Sequence, residues 1–349
     1  MVFIRKSSPP QAIAMHKILM NNLGLMLHRM LFLLFCVICI TTAQAQSAAY
    51  PERSVRVVIP FPAGGPPDIL ARALAEPFRE KFRQTLVIDN RPGASGNIGA
   101  EIVAKATPDG YHLLVTPDTV ITANPHMMKK AGFDPARDLT PLTLLTRISM
   151  MLLCHTSVPA KTVAELVALA GTQSLNYASG GTGAPNHLAM ELFSFHTGAK
   201  MRHIPYKGAA PVLQDLLAGQ VHCAFLGTPA VLPHIKSGRM NAIAISSTLR
   251  SPMAPHVPTV AESGFKDYDV TFYQVLAAPR LLAEPVKRAL AVFANDALAN
   301  PELQQRTLAP MDQARVGGSP TDAANRLREI SVKWARIAKH IGLETNPPL

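Results

Sequence analysis

The chain has 349 residues, with 34 Lys and Arg against 23 Asp and Glu, a formal net charge of +11, and one Trp. Its basic residues are scattered, with no run longer than Lys129-Lys130, so the clustered basic face of a nucleic-acid binder is excluded and the mild positive balance instead attracts small anions. A length of roughly 300 residues beyond the leader makes two domains of ordinary size.

Residues 1–45 carry Arg5, Lys6, Lys17 and Arg29 and no acid, followed by the apolar run Met30 to Ile40 and the small residues Ala43-Gln44-Ala45. That is the pattern of a secretory signal peptide cleaved after Ala45. The run is about 11 residues, too short for a bilayer span of roughly 20. The expectation is a soluble protein exported to the periplasm, with Met15, Met20 or Met26 as alternative starts. Cys36 and Cys39 follow Phe35 and Ile38, where a lipoprotein box has a small residue, so no lipid anchor is expected. Taking the leader's four basic residues from +11 leaves +7 over 304 residues.

Val55 to Leu74 organises the rest. The β-branched run Val55, Val57, Val58 and Ile59 has the composition of a strand buried on both faces of a parallel sheet. Pro60, Pro62, Gly64, Gly65, Pro66 and Pro67 end it, and from Asp68 the apolar residues Ile69, Leu70, Ala73 and Leu74 mark an amphipathic helix. A turn of this kind lies at the carboxyl end of a strand, where ligands bind and helix N–H groups face anions.

Thr85 to Asp89 forms the next strand, and Asn90-Arg91-Pro92-Gly93-Ala94-Ser95-Gly96 turns into a helix from Asn97. Strand Tyr111 to Val115 ends at Thr116-Pro117-Asp118, facing the same crevice, and Leu142 to Thr146 is the last strand-like piece before a second α/β unit begins near Met150. There, Leu175 to Ala178 enters the turn Ser179-Gly180-Gly181-Thr182-Gly183 and leaves as a helix with Leu188, Leu192 and Phe195 on its apolar face. The turn lacks the third Gly and the ribose acid of a dinucleotide fingerprint and has no Walker lysine. What it offers is backbone N–H groups and two hydroxyls able to surround a small anion, with His187 as a further donor. Further strands end at Tyr206-Lys207-Gly208 and at Gly227-Thr228. No metal or cofactor motif occurs in the mature chain. The tail is three helices, the last with Leu327, Ile330, Trp334 and Ile337 on one face, and it must pack on the first domain.

Cys154 and Cys223 lie in apolar strand-like runs. An oxidising compartment permits a disulfide, but a domain of this size does not need one, which favours two buried free thiols. A secreted hydrolase using Ser179 or Ser95 with His187 is the competing function; it lacks the nucleophile-elbow pattern and a third member.

Several motifs, taken in order, resemble the periplasmic substrate-binding proteins of tripartite tricarboxylate transporters, also called the Bug family. They are Pro60 to Gly65 with Asp68 and Arg72, Asn90 to Gly93 with Asn97 and Gly99, Pro108 to Tyr111, Ser179 to Gly183 with His187, Tyr206 to Gly208, Asp215 to Gly219, and Val257 to Glu262. The resemblance implies an α/β, type II-like periplasmic binding protein, each domain a mostly parallel sheet flanked by helices. It implies domains 46–147 with 270–349 and 148–269, joined by crossing hinge strands near Arg147 and Tyr268 and closing on a small carboxylate: a di- or tricarboxylate, an amino acid or an aromatic acid. The ligand residues so implied are Phe61, Ala63, Gly64, Gly65, Asn97, Thr116 and Asp118 on one side. On the other side they are Ser179, Gly180, Thr182, Gly183, His187, Tyr206 and Gly227. Neither catalysis nor a cofactor is implied; the partners are two membrane transporter subunits or, alternatively, a sensor kinase, and the receptor is a monomer.

Three departures from the family pattern sharpen the expectation. Pro66-Pro67 removes two N–H donors from the first turn, which makes the turn from Ser179 to His187 the principal carboxylate clamp. Tyr273 and Val275 replace an expected Trp and Gly and should reshape the cleft. Asp118, if it enters the cleft, should favour a ligand carrying an amine, such as aspartate.

Overall fold

In the computed structural model, the described residues are Met26, Met30, 50–128 and 132–342. Apart from Met26 and Met30, the signal-peptide reading of 1–45 falls outside them, as do Lys129 and Lys130. Residues from Arg53 onward form one compact unit. Among the described residues, no helix is long and apolar enough to cross a membrane.

The elements in chain order begin with β1 (Val55–Ile59), α1 (Pro66–Ala73), α2 (Ala75–Phe82), β2 (Leu86–Asn90), α3 (Asn97–Ala104), β3 (His112–Pro117), β4 (Leu139–Ile148) and β5 (Met151–His155). They continue with α4 (Val163–Thr172), β6 (Leu175–Ser179), α5 (Pro185–Thr197), β7 (Met201–Pro205), α6 (Ala209–Leu217), β8 (Cys223–Leu226) and α7 (Thr228–Lys236). The last are β9 (Met240–Ile245), β10 (Phe272–Pro279), α8 (Glu284–Ala299), β11 (Gln313–Gly317) and α9 (Pro320–His340). Two sheets result, ordered β11-β4-β10-β3-β1-β2 and β7-β6-β8-β5-β9. In the first, β2, β1 and β3 are parallel, and in the second β7, β6 and β8. The remaining strands pair antiparallel, because they run back across the molecule.

That antiparallel set decides where the ligand side lies. The start of β10 lies at the carboxyl end of β3, with Gln274 opposite Pro117, and Phe272 also faces Ile148 at the end of β4. In the second sheet Met151, the first residue of β5, faces Leu226, the last of β8. Only Ser149 and Met150 separate β4 from β5. The carboxyl edges of both parallel triplets are therefore turned toward one crossing point, and the strand-end turns and helix starts of each sheet lie on that side. Ser246 ties the outgoing and returning chains: its Oγ accepts from Met150 N–H (2.9 Å) and donates to Val270 O (2.7 Å), while its own N–H and C=O bond Met150 O and Val270 N–H.

Packing follows the sequence pattern with two exceptions. Val55, Val57, Val58 and Ile59 are all buried, as a central strand requires, and Leu327, Ile330, Trp334 and Ile337 bury one face of α9, with Trp334 stacked on Phe272 at 6.1 Å. Each such side chain is worth about 1.5–3 kcal/mol. Ile69 and Phe195 instead face solvent, and Ala71 and Phe193 take the inward positions. The tail also adds β11 as an edge strand. The two cysteines are not free thiols: Cys154 and Cys223 form a disulfide across directly opposed positions of β5 and β8, with Cα atoms 4.1 Å apart. Strand register put them together, and register over 69 residues is not visible in composition.

Candidate functional site

The turn after β1 is held from below by one carboxylate. Asp68, buried at the start of α1, accepts from Gly64 N–H (2.9 Å), Arg72 Nε (2.9 Å) and Asn90 Nδ2 (3.0 Å). Asn90, the last residue of β2, also donates to Phe61 O at 3.1 Å, so the ends of β1 and β2 share one network. The Arg72 guanidinium, helped by the Gly64 and Asn90 bonds, holds the Asp68 carboxyl down to about 2. The Phe61 ring is half-buried and lies over Gly96 and Val120; a Cβ on Gly96 would come within 3.1 Å of the ring and 2.7 Å of Val120, and its φ of +96° also requires glycine. Gly99 allows α3 to press against Pro60, which a Cβ would meet at 2.8 Å. Pro62, Ala63 and Gly64 are exposed.

The turn after β6 is held by neutral groups. Asn186 Oδ1 accepts Gly180 N–H (3.0 Å), Ser179 Oγ accepts Gly181 N–H (3.2 Å), and His187 Nδ1 accepts Gly183 N–H (3.2 Å). Ala184 N–H closes the turn on Gly181 O. Beneath lies a stack of rings: His187 and His203 are 4.1 Å apart by centroid, and Tyr177 and His203 4.9 Å. Burial, with His203 beside it, pushes the His187 imidazole down to about 4, so it is neutral and its Nδ1 lone pair is available to Gly183. Ser179 Oγ lies 2.6 Å from His203 Nε2, and Tyr177 OH pairs with Glu191. Tyr206 N–H and Gly208 N–H bond Ser179 O and Gly180 O at 2.8 and 3.1 Å, joining the turns after β6 and β7, while the Tyr206 phenol is held by Asp215 at 2.6 Å.

The structure brings the proposed residues to the two facing edges, but not all to the surface. Phe61, Ala63, Gly64, Gly65, Gly180, Thr182, Gly183, Tyr206 and Gly227 are partly or fully exposed there. Ser179, His187, Thr116 and Asn97 are buried, Asn97 accepting from Asn124 Nδ2 at 2.8 Å. Two expectations are corrected. The turn from Ser179 to Ala184 does not keep its N–H groups for a ligand, because those of Gly180, Gly181, Gly183 and Ala184 are already bonded internally, and His187 is an acceptor there rather than a donor. Gly183 also has a φ of +79°, so any side chain there is strained.

Asp118 does not enter the cleft. It is fully buried, Oδ1 accepting Tyr273 N–H at 2.9 Å and Oδ2 unpartnered among the described residues, and burial pushes its carboxyl up to about 7. Tyr273 and Val275 are likewise core residues, packed with Trp334, and the Tyr273 phenol accepts from Arg326. The hydrolase pairing is also not formed, since Ser179 meets His203 and is covered. Residues the sequence reading missed are Asn90, Asn186 and His203, and Thr228, whose buried hydroxyl at the start of α7 has no partner among the described residues. Asn90 and Asn186 stand within the singled-out stretches, as strand-end and helix-start asparagines; His203 is supplied by parallel pairing with Tyr177 and leaves no local trace. Among the described residues, no group of three His, Cys, Asp or Glu could hold a metal.

Two mixed α/β sheets joined by a short crossing, with strand-end turns facing across it, define the solute-binding class of periplasmic proteins. The profile described as "Tripartite tricarboxylate transporter family receptor" matches residues 70–343, and the chain belongs to this family, whose members are binding receptors rather than enzymes. Protein BugT of Bordetella pertussis is 31% identical over 303 residues, covering 86% of this chain and 93% of that one. Among solved structures, R. palustris Rpa4515 with adipate is 34% identical with a TM-score of 0.74, covering 84% of this chain and 98% of that one. MatC from Rhodopseudomonas palustris with bound malate is 29% identical with a TM-score of 0.69, covering 82% and 99%.

Proposed function

We propose that the chain is an exported periplasmic receptor that binds a small carboxylate between its two sheets and delivers it to the two membrane subunits of a tripartite tricarboxylate transporter. The observation that carries this reading is the convergence of both carboxyl edges on a two-residue crossing, with small-residue turns on each side. The bodies that close are 46–147 with 270–349 and 148–269, hinged where Ser246 joins the two crossing chains. Adipate in one relative and malate in another support a carboxylate ligand. Phe61, Ala63, Gly64 and Gly65 would line one wall, and Gly180, Thr182, Gly183, Tyr206 and Gly227 the other. Asp68, Asn90, Asn186 and His187 would fix the walls without touching the ligand.

The test is native purification from the periplasmic fraction and mass spectrometry of whatever is retained. A small carboxylate recovered unaltered, one per chain, is the expected result. A retained ligand without a carboxylate, or one chemically turned over, would reject the reading. Ligand at about 100 times its dissociation constant should stabilise the protein by roughly 2.7 kcal/mol.

A further inference from the structure

A cavity of about 920 Å3 lies away from both turns, between α8 and α9. Leu139 to Pro141, at the start of β4, form part of its floor, and Leu139 pairs with Pro279 at the opposite end of the strand from Ile148 and the crossing. From α8 it is lined by Glu284, Lys287, Arg288, Ala291, Val292 and Asn295, which is one continuous helical stripe about 16 Å long at 1.5 Å per residue. A second stripe, from Thr321 to Ser331 of α9, forms the other wall. Among the described residues no aromatic ring lines it, whereas small-molecule pockets are mostly apolar and aromatic. A groove with two helical walls instead has the form that takes a length of peptide chain.

The charge of the groove is one-sided. Arg280, Lys287, Arg288 and Arg328 line it against a single acid, Glu284, which pairs with Lys287 at 2.8 Å. Arg280, Arg288 and Arg328 are exposed and have no ion pair within 4.0 Å among the described residues. Arg280 and Arg328 bond only neutral acceptors, Ala136 O at 3.3 Å and Asn325 Oδ1 at 3.1 Å. The acids next to the lining residues are turned to backbone N–H groups of their own turns: Asp134 to Ala136, Asp138 to Asp134 and Asp322 to Ser319. Beside Arg280 stands Leu281, 82% exposed and held at a φ of +70°, a costly arrangement for a side chain that buries nothing in the free protein. Val292, within the groove, is also exposed.

The chain itself has no segment to match this charge. Residues 1–49 contain no acid, 129–131 are Lys-Lys-Ala, and 343–349 hold one acid, Glu344. A second copy would bring the same positive excess. A flat anionic bilayer would reach the rim but not cations recessed between two helices.

We propose that the groove between α8 and α9 is a docking surface for an acidic, amphipathic peptide segment of a partner protein, its acids meeting Arg280, Arg288 and Arg328 and its apolar residues covering Leu281 and Val292. This goes beyond the receptor reading and stands apart from it, because the groove lies on the flank of the first sheet and contains none of the residues placed at the ligand walls.

Selection of a random peptide library on the immobilised full exported chain, followed by fluorescence anisotropy of the enriched peptides, tests this. The enriched peptides should combine several acids with apolar residues. Their affinity should fall at least about tenfold in Arg288→Glu/Arg328→Glu and hardly at all in Lys236→Glu/Arg239→Glu, which makes the same change of net charge on the second sheet's side. Arg288→Gln, a milder change at an exposed position, should weaken them by about threefold to fivefold. Circular dichroism and an unchanged affinity for the carboxylate the protein retains on native purification would show that each variant is folded. Enrichment of peptides without acids, no enrichment at all, or an equal loss in the two charge-reversed proteins would overturn the proposal and leave the receptor reading untouched. Binding to phosphatidylglycerol-rich vesicles that is lost in Arg288→Glu/Arg328→Glu, with no acidic peptide enriched, would give the groove to a membrane and overturn it as well.

Discussion

The turns after β1 and β6 occupy equivalent places at the carboxyl edges of their sheets, yet they are fixed by different chemistry. The first is gathered by an ionised carboxylate, Asp68, that serves Gly64, Arg72 and Asn90 together. The second is gathered by uncharged acceptors, Asn186, Ser179 and the neutral His187, over a stack of aromatic rings. A carboxylate ligand gives the contrast a physical sense. Beside the first wall Asp68 is offset by Arg72, while Asp89 is shared by Arg56 and Arg91, which leaves one positive charge over; the second turn itself holds no acid, and the carboxylate beneath it, Glu191, is paired with the Tyr177 hydroxyl. The same loop shape can thus be held by ions or by neutral groups, and the choice sets which solution conditions undo it.

The largest difference between the halves is covalent. The Cys154–Cys223 bridge closes 69 residues within the second sheet, and a loop of that length is worth about 4 kcal/mol in chain entropy. Replacing both cysteines by alanine, or adding reductant under conditions that reach the buried bond, should lower the thermal midpoint by roughly 10 °C, with 1 kcal/mol moving a domain of this size by about 2–4 °C. A midpoint unchanged in the double-alanine protein would mean that the bridge constrains nothing the folded sheet does not already constrain.

Acid should then undo the two turns in separate windows. His187 has its folded value down to about 4 against the ordinary 6.5. For a base whose folded value is depressed, the unfolded chain takes up the proton first, so the contribution is present above pH 6.5 and is lost as pH falls toward 4. The full loss is about 3 kcal/mol. His187→Asn keeps an acceptor for Gly183 N–H while removing the titration, and its denaturant midpoint should vary less with pH across that interval. A variant with the same pH slope as the parent would clear His187 of the effect.

Asp68 sets the lower window. Its folded value of about 2 lies below the ordinary 3.8. Being a depressed acid, it contributes in full above pH 3.8, and that contribution disappears as pH falls through 2; the amount is about 2 kcal/mol. Asp68→Asn should destabilise the protein by about that much at neutral pH and flatten the acid limb below pH 4 only. Loss of stability in this variant between pH 4 and 6.5, the interval assigned to the second turn, would break the separation of the two devices.

How much of this was readable beforehand follows the range of the interactions. The strand, turn and helix units could be read from Val55 to Leu74 and from Leu175 to Leu192 because β-branched runs, Gly and Pro clusters and helical periodicity are local. The facing of the two turns was implied by their places at strand ends. The locking chemistry was not readable where it depends on partners far along the chain: His203 beneath Ser179 and Cys223 opposite Cys154 are products of register. Asp118 misled for the same reason. A carboxylate at a strand end looks like a ligand group until β10, 155 residues later, supplies the Tyr273 N–H that holds it inside.

The smallest expected effect tests whether the two halves unfold together. Each carries one helix with a capping box: Thr162 with Glu165 at the start of α4 on the second sheet, and Ser319 with Asp322 at the start of α9 on the first. In both, the hydroxyl accepts the N–H of the third helical residue, at 3.2 Å, and the acid accepts the N–H of the cap. Thr162→Ala and Ser319→Ala should therefore each cost about 1 kcal/mol. Because the caps are alike and lie on opposite sides of the crossing, the two variants form a matched pair. With both crossing chains tied at Ser246 and α9 packed against β10, one cooperative transition is expected, and each variant should lower its midpoint by the same roughly 2–4 °C. Two calorimetric transitions, with Thr162→Ala moving one and Ser319→Ala the other, would show instead that the halves melt separately. The acid windows of the two turns would then have to be assigned to each half on its own.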